Sequence, residues 1–187
     1  MTNMFKIGIF SLSLVLVLGF GFGNSNIQNE ETSIEILAKT PKIGELAPEI
    51  NLPSINRSVT YKLSDLRGKL VLVNFWASMN APCSHENKNQ VRTYNKYKNK
   101  SFKNAQGFTI YSVSLDSNLE SWKKAIKKDG LSWPYQVSDL KGYESEVAVT
   151  YGVTTIPSNY LIDGDGKVLA INLRSAQLVK TIEKYLK

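Results

Sequence analysis

Asn80-Ala81-Pro82-Cys83 sets a single thiol three residues after an amide side chain. The tetrad follows an apolar run, Leu70-Val71-Leu72-Val73-Asn74-Phe75-Trp76, and precedes a polar, helix-compatible stretch from Ser84 onward. Strand, tight turn, helix is the expected local order. A helix N-terminus presents unpaired N–H groups and the positive end of a dipole, which favour a thiolate over a thiol. In a C-x-x-C arrangement the first sulfur attacks a disulfide and the second resolves the mixed disulfide. Here the attacking position is Asn80 and the resolving position is Cys83. Cys83 is the only cysteine in the chain, so no intramolecular disulfide can form.

Asparagine at this place has a second role, because its side-chain oxygen is among the best N-cap acceptors. Pro82, at the second helical position, has no N–H to give, so the amide of Cys83 is the expected donor. The helix start is then kept while the nucleophile is missing. Cys83 itself has two readings: an inert, buried small hydrophobe, or an accessible thiol of lowered pKa. His85, two positions further on, points to another side of the helix and is read as a surface residue.

Four matches in order give the sequence a family resemblance. Gly44-Glu45-Leu46-Ala47-Pro48, then Leu63-Ser64-Asp65-Leu66-Arg67-Gly68-Lys69 running into the apolar strand and Ala77-Ser78, then Ile156-Pro157, then Tyr160-Leu161-Ile162-Asp163 resemble TlpA-type thioredoxin-like proteins, envelope relatives of thioredoxin and peroxiredoxin. The resemblance covers roughly residues 42 to 187. It departs from the family at three places: Met79 where Trp is usual, Asn80 where the nucleophilic Cys sits, and Ala81 where Gly is frequent. The family implies an α/β thioredoxin-like fold, a central mixed sheet flanked by helices, with a short N-terminal β extension. It implies a cis bond at Ile156-Pro157 facing the turn, with backbone groups that pair with an extended peptide. It also implies an acid one turn after the cysteine, here Glu86, to move protons or to raise the thiol pKa by like-charge repulsion.

A peroxidase is the competing class, since Cys83-Ser84-His85-Glu86 fits C-x-x-E. The peroxiredoxin pattern P-x-x-x-T-x-x-C needs proline in place of Trp76 and threonine in place of Asn80, and neither is present.

The elements that must position these residues follow from periodicity. Residues 108–115 are strand-like, 118–128 form an amphipathic helix closed by Asp129-Gly130, and 142–151 a further short helix. Residues 158–162 and 167–172 make a hairpin across Asp163-Gly164-Asp165-Gly166, before a last helix over 175–186. This βα alternation makes a sheet covered by helices.

With 187 residues and 42% hydrophobic content, the chain suits one domain with a sizeable core. Residues 1–25 carry a single Lys6, an uncharged run over 7–23, and small residues suited to signal cleavage. The run is short and glycine-weakened for a membrane span, so cleavage is favoured over a retained anchor. Residues 26–41 form a polar linker, and 42–187 the folded domain. Of 23 basic residues, clusters at Lys88, Arg92, Lys96, Lys98, Lys100 and Lys103, and at Lys123, Lys124, Lys127 and Lys128, are expected on solvated helix faces. Nucleic-acid binding is not expected, nor is a cofactor or a metal. The expected location is the bacterial periplasm or cell envelope, with membrane contact only through an uncleaved N-terminal segment.

Two functions remain open to these residues. One is a non-catalytic protein that binds envelope thiol or disulfide proteins, or extended peptides, on a surface of Trp76, Met79, Asn80, Ala81, Pro82, Ile156 and Pro157. The other is a single-cysteine thiol oxidoreductase or peroxidase that uses Cys83 with an external resolving thiol, and Glu86 for proton transfer.

Overall fold

The computed structural model describes residues 40–187, so the expected signal segment 1–25 and the linker as far as residue 39 lie outside the described residues. Along the chain the elements are β1 (Asn51–Pro53), β2 (Thr60–Lys62), β3 (Leu70–Trp76), α1 (Ala81–Tyr97), β4 (Ser101–Phe102), β5 (Ala105–Gln106), β6 (Phe108–Ser114), α2 (Leu119–Asp129), β7 (Tyr135–Val137), α3 (Glu146–Thr150), β8 (Ser158–Ile162), β9 (Val168–Ile171) and α4 (Ser175–Glu183). Five strands form the central mixed sheet in the order β7-β6-β3-β8-β9. β3 lies parallel to β6 and antiparallel to β8, which makes it the middle strand. All seven of its residues are buried, as its near-continuous apolar sequence requires. β1 and β2 pair separately as the short N-terminal extension.

Alternation along β3 divides the core into two layers. Val71, Val73 and Phe75 face one layer with Tyr111, Val113, Tyr151 and Tyr160. Leu70, Leu72 and Trp76 face the other, where Cys83, Tyr97, Phe108, Ile110, Trp122, Leu178 and Ile182 pack. A band of polar side chains crosses that second face. Gln136, Ser112, Asn74 and Asn159 are direct register partners across β7, β6, β3 and β8. All four are buried. Ser112 Oγ accepts from Trp133 Nε1 at 3.0 Å, Asn159 exchanges two bonds with the backbone of Leu173, and Asn74 Oδ1 accepts from Gln90 Nε2 of α1 at 2.9 Å. The helix that carries the site is therefore docked by a polar side chain near its middle.

Local chemistry explains the ends of the helices. Gly130, left-handed at φ +69, closes α2 as expected. The expected helix over 142–151 is broken by Ser145, extended at ψ 124, into a short 3₁₀ turn and α3. The last helix stops at Glu183, because the chain beyond it pairs with β4: Lys103 N donates to Tyr185 O and Lys187 N to Ser101 O.

Removing one member of the buried amide pair tests this docking. Gln90→Ala leaves Asn74 without its partner inside the protein and should cost about 1–3 kcal/mol in urea unfolding at unchanged slope. The joint change Asn74→Val with Gln90→Leu should recover most of that loss, because it removes both polar groups together.

Candidate functional site

β3 ends at Trp76, and five residues later, at Ala81, the chain is helical. Asn80 N donates to Ala77 O at 3.3 Å to close the turn. Asn80 is the N-cap of α1, extended at φ −101 and ψ 108, and its Oδ1 accepts from Cys83 N at 3.0 Å. Pro82 stands at the second helical position, where a missing N–H costs nothing. A buried carboxylate fixes the turn from below. Asp116, just beyond β6, accepts from Ser78 Oγ at 2.6 Å and from Ser114 Oγ at 2.7 Å, and Ser78 N lies 3.1 Å from both of its oxygens.

Cys83 is fully enclosed, at 0% exposure. Burial is the main force on its thiol. A backbone hydrogen bond with Ala77 and the charge of Arg174 oppose it, while the charges of Asp116 and Asp129 add to it, and the result is a rise from 9.0 to about 11. The helix terminus does not make this a reactive thiolate, because its contribution, about 0.3–1 kcal/mol, is smaller than the desolvation it would have to overcome.

Glu86 is also buried, and its carboxylate serves another helix. Its Oε2 accepts from Ser175 N at 3.0 Å, and its Oε1 from Ser175 Oγ at 2.7 Å and Asn89 Nδ2 at 2.9 Å. It thus caps α4, whose own N-cap residue, Arg174, supplies no side-chain acceptor. Burial works against ionisation of Glu86, but these hydrogen bonds and the charge of Arg174 outweigh it and hold the pKa below the usual carboxylate value. Arg174 in turn donates to Pro157 O and to Leu173 O, which ties the start of α4 to the loop that leads into β8. The Ile156–Pro157 bond in that loop is cis.

The exposed surface of the site is smaller than the sequence implied. Met79 is 89% exposed, Ala81 and Pro82 are exposed, and Ile156 and Pro157 are half-buried. Trp76 is a correction: expected on the binding surface, it is only 1% exposed, because its parity on β3 turns the indole into the core with Cys83 and Trp122. His85 is exposed on α1. No group of three or more His, Cys, Asp or Glu side chains that could hold a metal ion occurs among the described residues. Sequence reasoning missed Asp116 and Arg174. Asp116 had a faint signal, a Ser-x-Asp at the end of an apolar strand, whereas nothing local marks Arg174.

Residues 43–171 match the AhpC/TSA family. The chain belongs to that family. Among its relatives, the thiol-disulfide oxidoreductase ResA of Bacillus thuringiensis subsp. konkukian is 32% identical over 146 residues, 78% of each chain. Among solved structures, the C-terminal domain of a putative thiol-disulfide oxidoreductase from Bacteroides thetaiotaomicron is 39% identical with a TM-score of 0.68, over 79% of this chain and 97% of that one. A putative thiol:disulfide interchange protein DsbE from Chlorobium tepidum is 28% identical with a TM-score of 0.67, over 78% and 98%. The fold of this AhpC/TSA member is thus thioredoxin-like, and its relatives are thiol-disulfide oxidoreductases.

Enclosure of Cys83 has two measurable results. A maleimide should label the native thiol slowly at neutral pH and rapidly after unfolding, and fast native labelling would contradict the burial. As pH rises, the unfolded chain loses the thiol proton first, so the raised pKa stabilises the fold below about pH 9 and ceases to do so towards about 11. The pH slope of stability across that window should therefore be steeper in the wild type than in Cys83→Ser, by at most about 2–3 kcal/mol in total.

Proposed function

We propose that this is an exported thioredoxin-fold protein of the cell envelope whose dithiol site is degenerate, and that it binds partners on the surface around the turn without catalysing thiol-disulfide exchange. One observation carries this reading: the only thiol of the chain is sealed beneath a turn whose outer position is a capping asparagine. Exchange requires a thiolate to attack one sulfur of a disulfide, forming a new S–S bond and releasing the other sulfur as a thiolate. Asn80 has no sulfur to attack with. Cys83 has one, but it is enclosed and held as the neutral thiol.

What the site retains suits peptide binding. Met79, Ala81 and Pro82 are exposed, and Ile156 packs half-buried against the core cluster that holds Cys83. Neither the N–H nor the C=O of Ile156 has a backbone partner among the described residues, so both are open to an extended chain. Envelope thiol or disulfide proteins and extended peptides are the partners of this reading. Export is supported by the uncharged run over residues 7–23.

The purified protein should not turn over insulin disulfides with dithiothreitol. Turnover near that of a two-cysteine thioredoxin, lost on Cys83→Ser, would overturn the non-catalytic reading in favour of a single-cysteine enzyme with an external resolving thiol. Asn80→Cys should supply the missing attacker, and mass spectrometry of the oxidised variant should show an intramolecular disulfide. Free thiols or dimers alone would mean that the turn geometry is wrong. N-terminal sequencing of protein from cells should find residues 1 to about 25 removed, and an intact N-terminus in the membrane fraction would mark an anchor instead.

A further inference from the structure

We infer that the partner segment is acidic and that it runs from the turn into the groove between α1 and α2. The inference rests on the partner-binding reading above and assigns the chemistry of what is bound. The groove, about 440 Å³, begins at Met79 and Asn80 and continues past Ser84, His85, Lys88 and Lys128. Two of its lining residues are lysines and none is a carboxylate. Lys124 lies one turn before Lys128 on α2 and is exposed, which extends the positive face.

The charges are distributed asymmetrically. The carboxylates near the turn are engaged inward: Asp116 with Ser78 and Ser114, Glu86 with Ser175 and Asn89, and Asp129 with Ser84 Oγ at 2.9 Å and Asn87 Nδ2 at 2.8 Å. Lys88 and Lys128 form no ion pair among the described residues, whereas Lys96 and Lys123 pair with Glu183 and Glu120 elsewhere. The cations beside the turn have no carboxylate partner among the described residues, whereas the carboxylates beside it are tied to hydroxyl and amide donors and none lines the groove. Complementarity of this kind selects partners by sign and speeds encounter more than it adds affinity. A peptide fits better than a flat anionic surface. The cations line a concavity with amide and hydroxyl groups at Asn80 and Ser84.

The test uses the full chain in a nonionic detergent and a fluorescent peptide of roughly ten residues alternating Glu with Leu, read by anisotropy at low salt. The Glu peptide should bind more tightly than its Gln counterpart. Lys88→Glu combined with Lys128→Glu should weaken the Glu peptide by about tenfold and leave the Gln peptide unchanged, and rising salt should mimic the double variant. Equal affinity for the two peptides, both weakened by Met79→Ala, would overturn the acidic preference while leaving the turn as the binding surface. Glu-peptide binding that the double variant leaves intact would also overturn it. No binding of either peptide, together with insulin turnover by the wild type, would remove the partner-binding reading and this inference together. Capture by phosphatidylglycerol vesicles through the same lysines, without peptide binding, would replace the peptide by a lipid surface.

Discussion

The carboxylate of Asp116 is the fixed point of the site. An anion withdrawn from water must be met by donors, and here the donors are the hydroxyls of Ser78 and Ser114 and the amide of Ser78. Because Ser78 belongs to the turn and Ser114 to β6, satisfying that one charge fastens the turn to the strand beside β3. The position of Asn80 and the start of α1 follow from this fastening and not from any sulfur. That is why an asparagine can stand at the attacking position with the local backbone still ordered: the cap bond to Cys83 N and the grip of Asp116 together hold the loop.

The same economy governs the way α1 meets the sheet. Its inward side includes Glu86, Asn87, Gln90 and Thr93, all buried; the first three are answered from other elements by Ser175, Asp129 and Asn74, and Thr93 by the carbonyl of Asn89 within α1. Apolar packing tolerates small slides of one element over another, whereas a buried hydrogen bond is lost by them at the cost of a desolvated group. Directional contacts therefore set the rotation and height of the helix whose first turn is the site. Arg174 and Glu86 extend the arrangement to α4 and to the Ile156–Pro157 loop.

Much of this was legible in the residues, and the parts that were not have a common cause. The run Leu70 to Trp76 announced a buried strand, Asn80 before Ala81-Pro82 announced a cap, and Asp163-Gly164-Asp165-Gly166 announced the hairpin, because each signal is local. The inward polar face of α1 was not legible: Asn87, Gln90 and Thr93 look like solvated positions until the strand and helices opposite them are known. Glu86 illustrates the same limit, since its partner Ser175 is distant in sequence and only the fold brings the two together. β7, three residues long, is too short to announce itself, and Trp76, at the edge of the turn, is drawn inward by its parity on β3.

The enclosure of Cys83 has a consequence for how the molecule meets its surroundings. A dithiol protein exists in two covalent forms, and its surface near the turn depends on which form the local redox poise selects. A chain with one cysteine cannot close a disulfide within itself, so it lacks that pair of forms. Its shape, its charge around Lys88 and Lys128 and the cap at Asn80 therefore undergo no dithiol-to-disulfide change within the chain, whichever medium surrounds it.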